Sequence, residues 1–403
     1  MTLPIQPGVP ELCAVIRDRI ARSPHQQITF ADFMALALYQ PTYGYYTRDA
    51  SQLGMGGDFA TAAHMGPDFA ELLAEQFVEM WQHLGQPTPF QIVEIGAGQG
   101  LLADSILAYL QRQYPNCFAA VHYILIETSG ALRTAQQAHL ARWQSQSADI
   151  SWCTLGELNP DSITGCLFSN ELVDALPVHR VVLTESGLQE QYVALSESAE
   201  QPWTLTLGPL STPQLPHYFE QAEILLTQPA YPLNYTTEAN LAALDWLAQV
   251  AQKLHRGYVL TIDYGYTAER YYSPQRSQGT LQCYYQHAHH NDPLINIGQQ
   301  DITAHVNFTA LEHHGQHCGL ATLGSAPQEL FLMALGLSDR LQQLAQLPGS
   351  DPQTIRYALR RREALHQLIN PLGLGKFTVL VQGKGLTTAE QRSLKGLTMP
   401  VGM

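Results

Sequence analysis

The stretch Val93-Glu94-Ile95-Gly96-Ala97-Gly98-Gln99-Gly100 decides how this chain is read. It continues a short apolar run, 91–95, with the length of a buried strand, and opens into helical periodicity over about 101–113. Glycines at alternate positions allow a tight turn and close backbone approach by a ligand. The spacing is Gly-x-Gly-x-Gly, not the Gly-x-Gly-x-x-Gly of the dinucleotide fingerprint.

Outward from this loop, strand patterns at 122–127, 149–154, 165–170 and 257–263 alternate with helical patterns at 129–144 and 238–255. That alternation predicts an α/β fold with a doubly wound, parallel sheet. Residues 320–326 and 376–385 read as two more strands, antiparallel on one edge. Upstream, helical patterns at 11–22, 29–38 and 66–84 make residues 1–86 a helical N-terminal region, leaving 87–403 as the larger domain. Two insertions interrupt that domain. About 178–235 holds short β-like runs and suggests an inserted hairpin. About 265–318 is rich in Tyr, Gln, His and Asn, the profile of a lid or binding loop.

The 403 residues suffice for two to three domains of ~150 residues. Hydrophobic residues make up 45% and charged ones 14%, so a disordered chain is excluded. With 35 acidic and 21 basic side chains the net charge is −14, which disfavours nucleic acid and anionic membrane as partners. No apolar run approaches the ~20 residues of a membrane span. Six cysteines without a Cys-x-x-Cys pair suit reduced, buried thiols. Met1 to Pro10 lacks the features of a secretory signal, so a cytoplasmic setting is expected.

Glu94 precedes the glycine loop, and Asp58 lies in an earlier glycine-rich loop. Carboxylates there suit a cofactor that carries positive charge, such as S-adenosyl-L-methionine, and not a pyrophosphate. Glu127 ends the second strand, where an acid accepts hydrogen bonds from ribose hydroxyls in doubly wound folds. Trp152 reads either as a platform for adenine or as a core tryptophan. The fourth strand runs straight into Asn170, Glu171 and Asp174, at the sheet edge where such folds bind ligands. An amide and two carboxylates there suit a cationic substrate; a helix N-cap with acids in its first turn is the other reading. His313 and His317 have a zinc-like i, i+4 spacing but no convincing third ligand, so no metal is expected.

Several motifs in the same order resemble the MidA family of S-adenosylmethionine-dependent methyltransferases. They are residues 29–46, ending in Pro41-Thr42-Tyr43-Gly44-Tyr45-Tyr46; Gly57-Asp58-Phe59 with Thr61; residues 93–100; and Asn170-Glu171-Leu172-Val173-Asp174-Ala175-Leu176-Pro177-Val178. Asp263-Tyr264-Gly265 and the late segment Asp301 to Phe308 continue the match. Ala62-Ala63-His64, Gln99 and Asn307 depart from the family's usual residues.

The resemblance implies a class I methyltransferase, Rossmann-like, with the insertions building a substrate cleft. It implies methylation of a protein arginine, on a complex I-type subunit during assembly. Glu171, Asn170 and Asp174 are then the catalytic candidates. Gly96, Gly98, Gly100, Glu94, Glu127, Asp58, Thr61 and Trp152 are the cofactor candidates. Methylation of a small molecule or another side chain, a non-catalytic assembly chaperone, and a dinucleotide enzyme are the alternatives.

Overall fold

A computed structural model describes residues 8–48, 62–146, 148–198, 202–346, 351–388, 390–391 and 394–398. Seven strands form the central sheet: β1 (Phe90–Ile95), β2 (Val121–Ile126), β3 (Asp149–Cys153), β4 (Ile163–Asn170), β5 (Leu254–Asp263), β6 (Ala321–Pro327) and β7 (Thr378–Lys384). Their order is β6-β7-β5-β4-β1-β2-β3. The first five run parallel, and β7 is antiparallel to both β5 and β6. This is the doubly wound sheet expected, with the two late strands at one edge.

Both faces of the sheet are covered, so its parallel strands read as apolar runs. Helices Pro67–His83 and Leu101–Gln113 pack on one face through Phe69, Leu73, Phe77, Ile106 and Leu110. Helix Leu241–Lys253 covers the other, where Leu247 and Val250 meet Val93 and Leu167.

Register brings the strand ends level. Ile95 lies opposite Ile126 on one side and Ser169 on the other. Ile126 faces Cys153, and Asn170 faces Ile262. The residues that leave β1, β2, β4 and β5 therefore emerge along a single edge.

A second core lies beside this sheet. Strands His179–Thr184, Gly187–Leu195 and Trp203–Gly208 form a three-stranded meander where an inserted hairpin was expected. It also recruits Gln27–Thr29 from the N-terminal region, with Ile28 opposite Val193, and Thr236–Ala239 at its other edge. Helices Pro10–Arg22 and Phe30–Tyr39 bury Leu12, Ile16, Phe30 and Phe33 against Val193, Trp203 and Ile302.

The late segment is more regular than a loop. Strands Gln282–Tyr285, Ala288–His290 and Asp301–Thr303 pair into a small sheet, and Phe308–His317 is a helix capped by the Asn307 side chain. Its strands are short and polar, so they carry no readable alternation. Among the described residues no helix is long and apolar enough to cross a membrane.

Candidate active site

The level strand ends surround a cavity of about 340 Å³, within the range of ligand pockets. Gly96, Gly98, Glu94, Glu127, Asn170 and Glu171 line it, so the sheet edge gathers six of the expected residues. Gly96 and Gly98 have φ of 77° and 52°, left-handed values that favour glycine. A Cβ on Gly98 would meet nothing within 4 Å. Its backbone is thus open on that side.

Glu94 is buried, and its Oε2 accepts the Tyr123 hydroxyl at 2.6 Å. Burial pushes its carboxyl up to about 8. An ionised Glu94 needs a compensating cation, which a ligand ammonium would supply. Glu127 is held by two donors: the Ser129 N–H to Oε1 at 2.7 Å and the Gln136 amide to Oε2 at 3.1 Å. Burial raises its carboxyl, and these hydrogen bonds oppose the rise. Each of its oxygens keeps a lone pair for a ligand hydroxyl.

Gln136 is the hub of this wall and is fully buried. Its amide also donates to the Gly98 carbonyl at 2.9 Å, tying the glycine loop to Glu127. Its Oε1 accepts the Trp152 indole N–H at 3.1 Å. Trp152 itself packs beside the large core and does not line the cavity. Of its two readings, adenine platform or core tryptophan, this place matches the second: its indole N–H is turned to Gln136, behind the wall. Gly100 also stands outside the lining: in left-handed conformation it heads helix Leu101–Gln113, beside Leu140 and Gln136. Beside Glu127 the lining is apolar, with Ile126, Leu132 and Leu155, and Trp246 is the tryptophan that reaches the cavity. Asp58 and Thr61 lie outside the described residues.

On the other side of β1, Glu171 leaves β4 with φ of 53°. That is a strained conformation for a residue with a side chain, and such strain persists only where the surroundings impose it. Here they do. The Glu171 N–H donates to the Ile262 carbonyl at 2.9 Å. The Asp263 Oδ2 gathers the N–H groups of Leu172, Val173 and Asp174 at 3.2, 2.9 and 3.2 Å. A short turn, Val173–Ala175, follows in place of the helix that the capping reading requires.

Glu171 Oε1 accepts the Ala62 N–H at 3.1 Å and the Asn170 amide at 3.3 Å. Burial, reinforced by the nearby Asp174, pushes its carboxyl up to about 8. Asp174 is buried behind this wall and is not part of the lining; it bonds to Tyr264, and burial pushes it up to about 6.

Two tyrosines without an assigned role in the sequence reading complete the wall. Tyr39 donates to the Ala175 carbonyl at 3.0 Å, and Tyr46 to Asp301 Oδ1 at 2.8 Å. Their rings stack at 5.5 Å, and both line the cavity. The only signal was the aromatic turn ending in Tyr46; nothing local relates it to Asp301. Gln136 gave no signal, being a glutamine within a helix.

Among the described residues the lining contains no Lys or Arg, and burial lowers the pKa of its one histidine, His64. A pyrophosphate would find no counter-charge here. S-adenosyl-L-methionine fits: carboxyls for its cationic end, Glu127 for its ribose and an apolar wall for its base. His313 and His317 lie elsewhere, their Nδ1 atoms at 2.8 Å from the carbonyls of Gln221 and His313.

Comparison with known proteins agrees with this geometry. A protein arginine methyltransferase, NDUFAF7, of Rattus norvegicus mitochondria is 29% identical over 369 residues, spanning 87% of this chain and 79% of that protein. Its Homo sapiens counterpart is 29% identical over 370 residues, with 87% and 78% covered. A crystal structure from Burkholderia thailandensis, bound to S-adenosyl-homocysteine, superposes with a TM-score of 0.84 at 29% identity, covering 98% of this chain and 97% of that one. Residues 72–326 match a family described as S-adenosyl-L-methionine-dependent methyltransferases, and to that family this chain belongs.

Proposed function

We propose that this enzyme methylates the guanidinium of an arginine in a partner protein. The observation that supports this most is Glu171, a half-buried residue whose carboxyl stands on the cavity wall. Its Oε1 already accepts two N–H groups, which leaves Oε2 for a ligand cation. The relatives named protein arginine methyltransferases have the same substrate class. A complex I-type subunit is the client that the family resemblance suggests. The six cysteines are unbridged and suit the cytoplasmic setting proposed for this chain.

S-adenosyl-L-methionine supplies an electrophilic methyl group when bound. Glu94, Gly96, Gly98 and Glu127 would hold it, with the apolar wall against its base. The chain's remaining task is to prepare the nucleophile. A free guanidinium keeps its proton, with a pKa above ~12. Glu171 would take one of its N–H groups on Oε2 and draw positive charge toward the carboxylate, away from the attacking nitrogen. With Oε1 committed and Asp174 behind the wall, the grip is narrower than a two-carboxylate fork. Tyr39 and Tyr46 add aromatic surface, and a desolvated cation on such a face gains about 0.5–2 kcal/mol. A carboxyl raised to about 8 is also suited to accept the proton that the nitrogen releases.

Methyl-labelled S-adenosyl-L-methionine, incubated with the protein and cell extract, tests this reading. Acid hydrolysis of the labelled protein fraction should yield methylarginine. Label found in methyllysine, or only in small molecules, would reject arginine as the acceptor.

A further inference from the structure

A second concavity, of about 780 Å³, opens beside the cofactor cavity. His64 to Asp68 form one side, and helix Pro352–Leu368 forms the other. His64 lines both spaces, so the groove adjoins the cofactor cavity at this residue.

The charge of this groove runs against that of the molecule. The chain carries −14 overall, with only 21 Lys and Arg. Four of those, Arg356, Arg360, Arg361 and Arg362, fall in helix Pro352–Leu368, which has one acid, Glu363; all of these but Arg362 line the groove. The buried Asp68 is already neutralised. Arg361 reaches both its oxygens at 2.6 Å, and Arg340 donates to Oδ1 at 3.0 Å. Arg356 and Arg360 line the groove, are exposed, and have no carboxylate partner among the described residues.

These two arginines are one helical turn apart, which sets them about 6 Å from each other along the helix. Alternate side chains of an extended polypeptide repeat at about 6.6 Å. We propose that this groove docks an extended, acidic segment of the protein substrate, with carboxylates at alternate positions meeting Arg356 and Arg360, while the target arginine enters past His64. The proposal rests on the protein-substrate reading above. A long nucleic acid offers similar charge spacing, but the surrounding −14 disfavours it.

Fluorescence anisotropy tests this with the full chain saturated with S-adenosyl-homocysteine. The probe is a labelled Gly/Ser peptide containing one Arg and a Glu-x-Glu pair; the control carries Gln in both places. The Glu peptide should bind roughly tenfold tighter, and the advantage should vanish by about 0.5 M salt. Arg356→Glu with Arg360→Glu should abolish the preference and leave S-adenosyl-homocysteine affinity, read by calorimetry, unchanged. Equal binding of the two peptides, or a preference that survives the double substitution, would overturn the docking site. An oligonucleotide of matching charge that bound as tightly would overturn its assignment to polypeptide. Methyl transfer to the Glu peptide is read separately. Groove-dependent binding without transfer upholds the docking site and counts against arginine as the acceptor.

Discussion

Glu171 Oε1 accepts the backbone N–H of Ala62 at 3.1 Å, joining the end of β4 to a residue 109 positions earlier in the chain. A glutamine at 171 can still accept this N–H through its amide oxygen, but it cannot become an anion. Glu171→Gln should therefore keep the fold and the affinity for S-adenosyl-homocysteine while lowering kcat by roughly 10²-fold or more, the scale of a lost charge-stabilising group. Parallel calorimetry and label-transfer assays measure both. Undiminished kcat would remove Glu171 from the mechanism.

Gly98 combines a left-handed φ of 52° with open space where a Cβ would stand. A branched side chain there costs about 1–2 kcal/mol in backbone strain and projects into room that a cofactor needs. Gly98→Val should abolish saturable binding of S-adenosyl-homocysteine with only a modest fall in Tm. Wild-type affinity in a folded variant would show that the loop does not contact the cofactor.

Gln136 and Trp152 separate support from contact. Gln136→Ala strips a donor from Glu127 and from the Gly98 carbonyl and leaves the Trp152 N–H unpartnered, a loss of about 1–3 kcal/mol. Trp152→Phe removes one of these bonds and keeps an aromatic ring, smaller than the indole. Thermal melts and calorimetry should show the larger loss, in both stability and cofactor affinity, for Gln136→Ala. A reversed order in cofactor affinity would return Trp152 to direct contact.

The raised carboxyls predict a pH signature. Glu94 and Glu171 move from 4.5 to about 8 on folding, so between those values the unfolded chain binds fewer protons than the folded one. The stability they contribute is full below about 4.5 and is lost as pH rises toward 8. The Tm of the ligand-free protein should fall across that window, less steeply in Glu94→Gln. A cofactor ammonium pairs with ionised Glu94, so its binding at neutral pH should release a proton. Calorimetry in buffers of different ionisation enthalpy detects this; identical heats in all buffers would exclude Glu94 as the ammonium partner.

Much of this was legible in the chain itself. A doubly wound sheet advertises itself locally, because strands buried on both faces are short apolar runs and their helices keep a 3.6-residue period. The glycine loop, Glu127 and Asn170-Glu171 could be read as one site because parallel strands end at a common edge. The insertion was visible as β-like runs, read as a hairpin where three strands form. Its pairing with Gln27–Thr29 was not, since strand partners distant in sequence leave no local trace.

What only the tertiary structure decided is the fine division of labour. Glu94, Glu171 and Asp174 are all carboxylates near strand ends in the sequence. Packing opens the first two to the cavity and seals the third behind it. Trp152 and Gly100 sit at plausible positions, yet the direction of a strand side chain and the start of a helix turn them away from the cavity. Tyr46 meets Asp301 across 255 residues, and Gln136 becomes a hub only because three partners converge on one amide. Periodicity encodes which face of an element is buried; which polar atoms meet there is decided by packing between elements far apart in the chain.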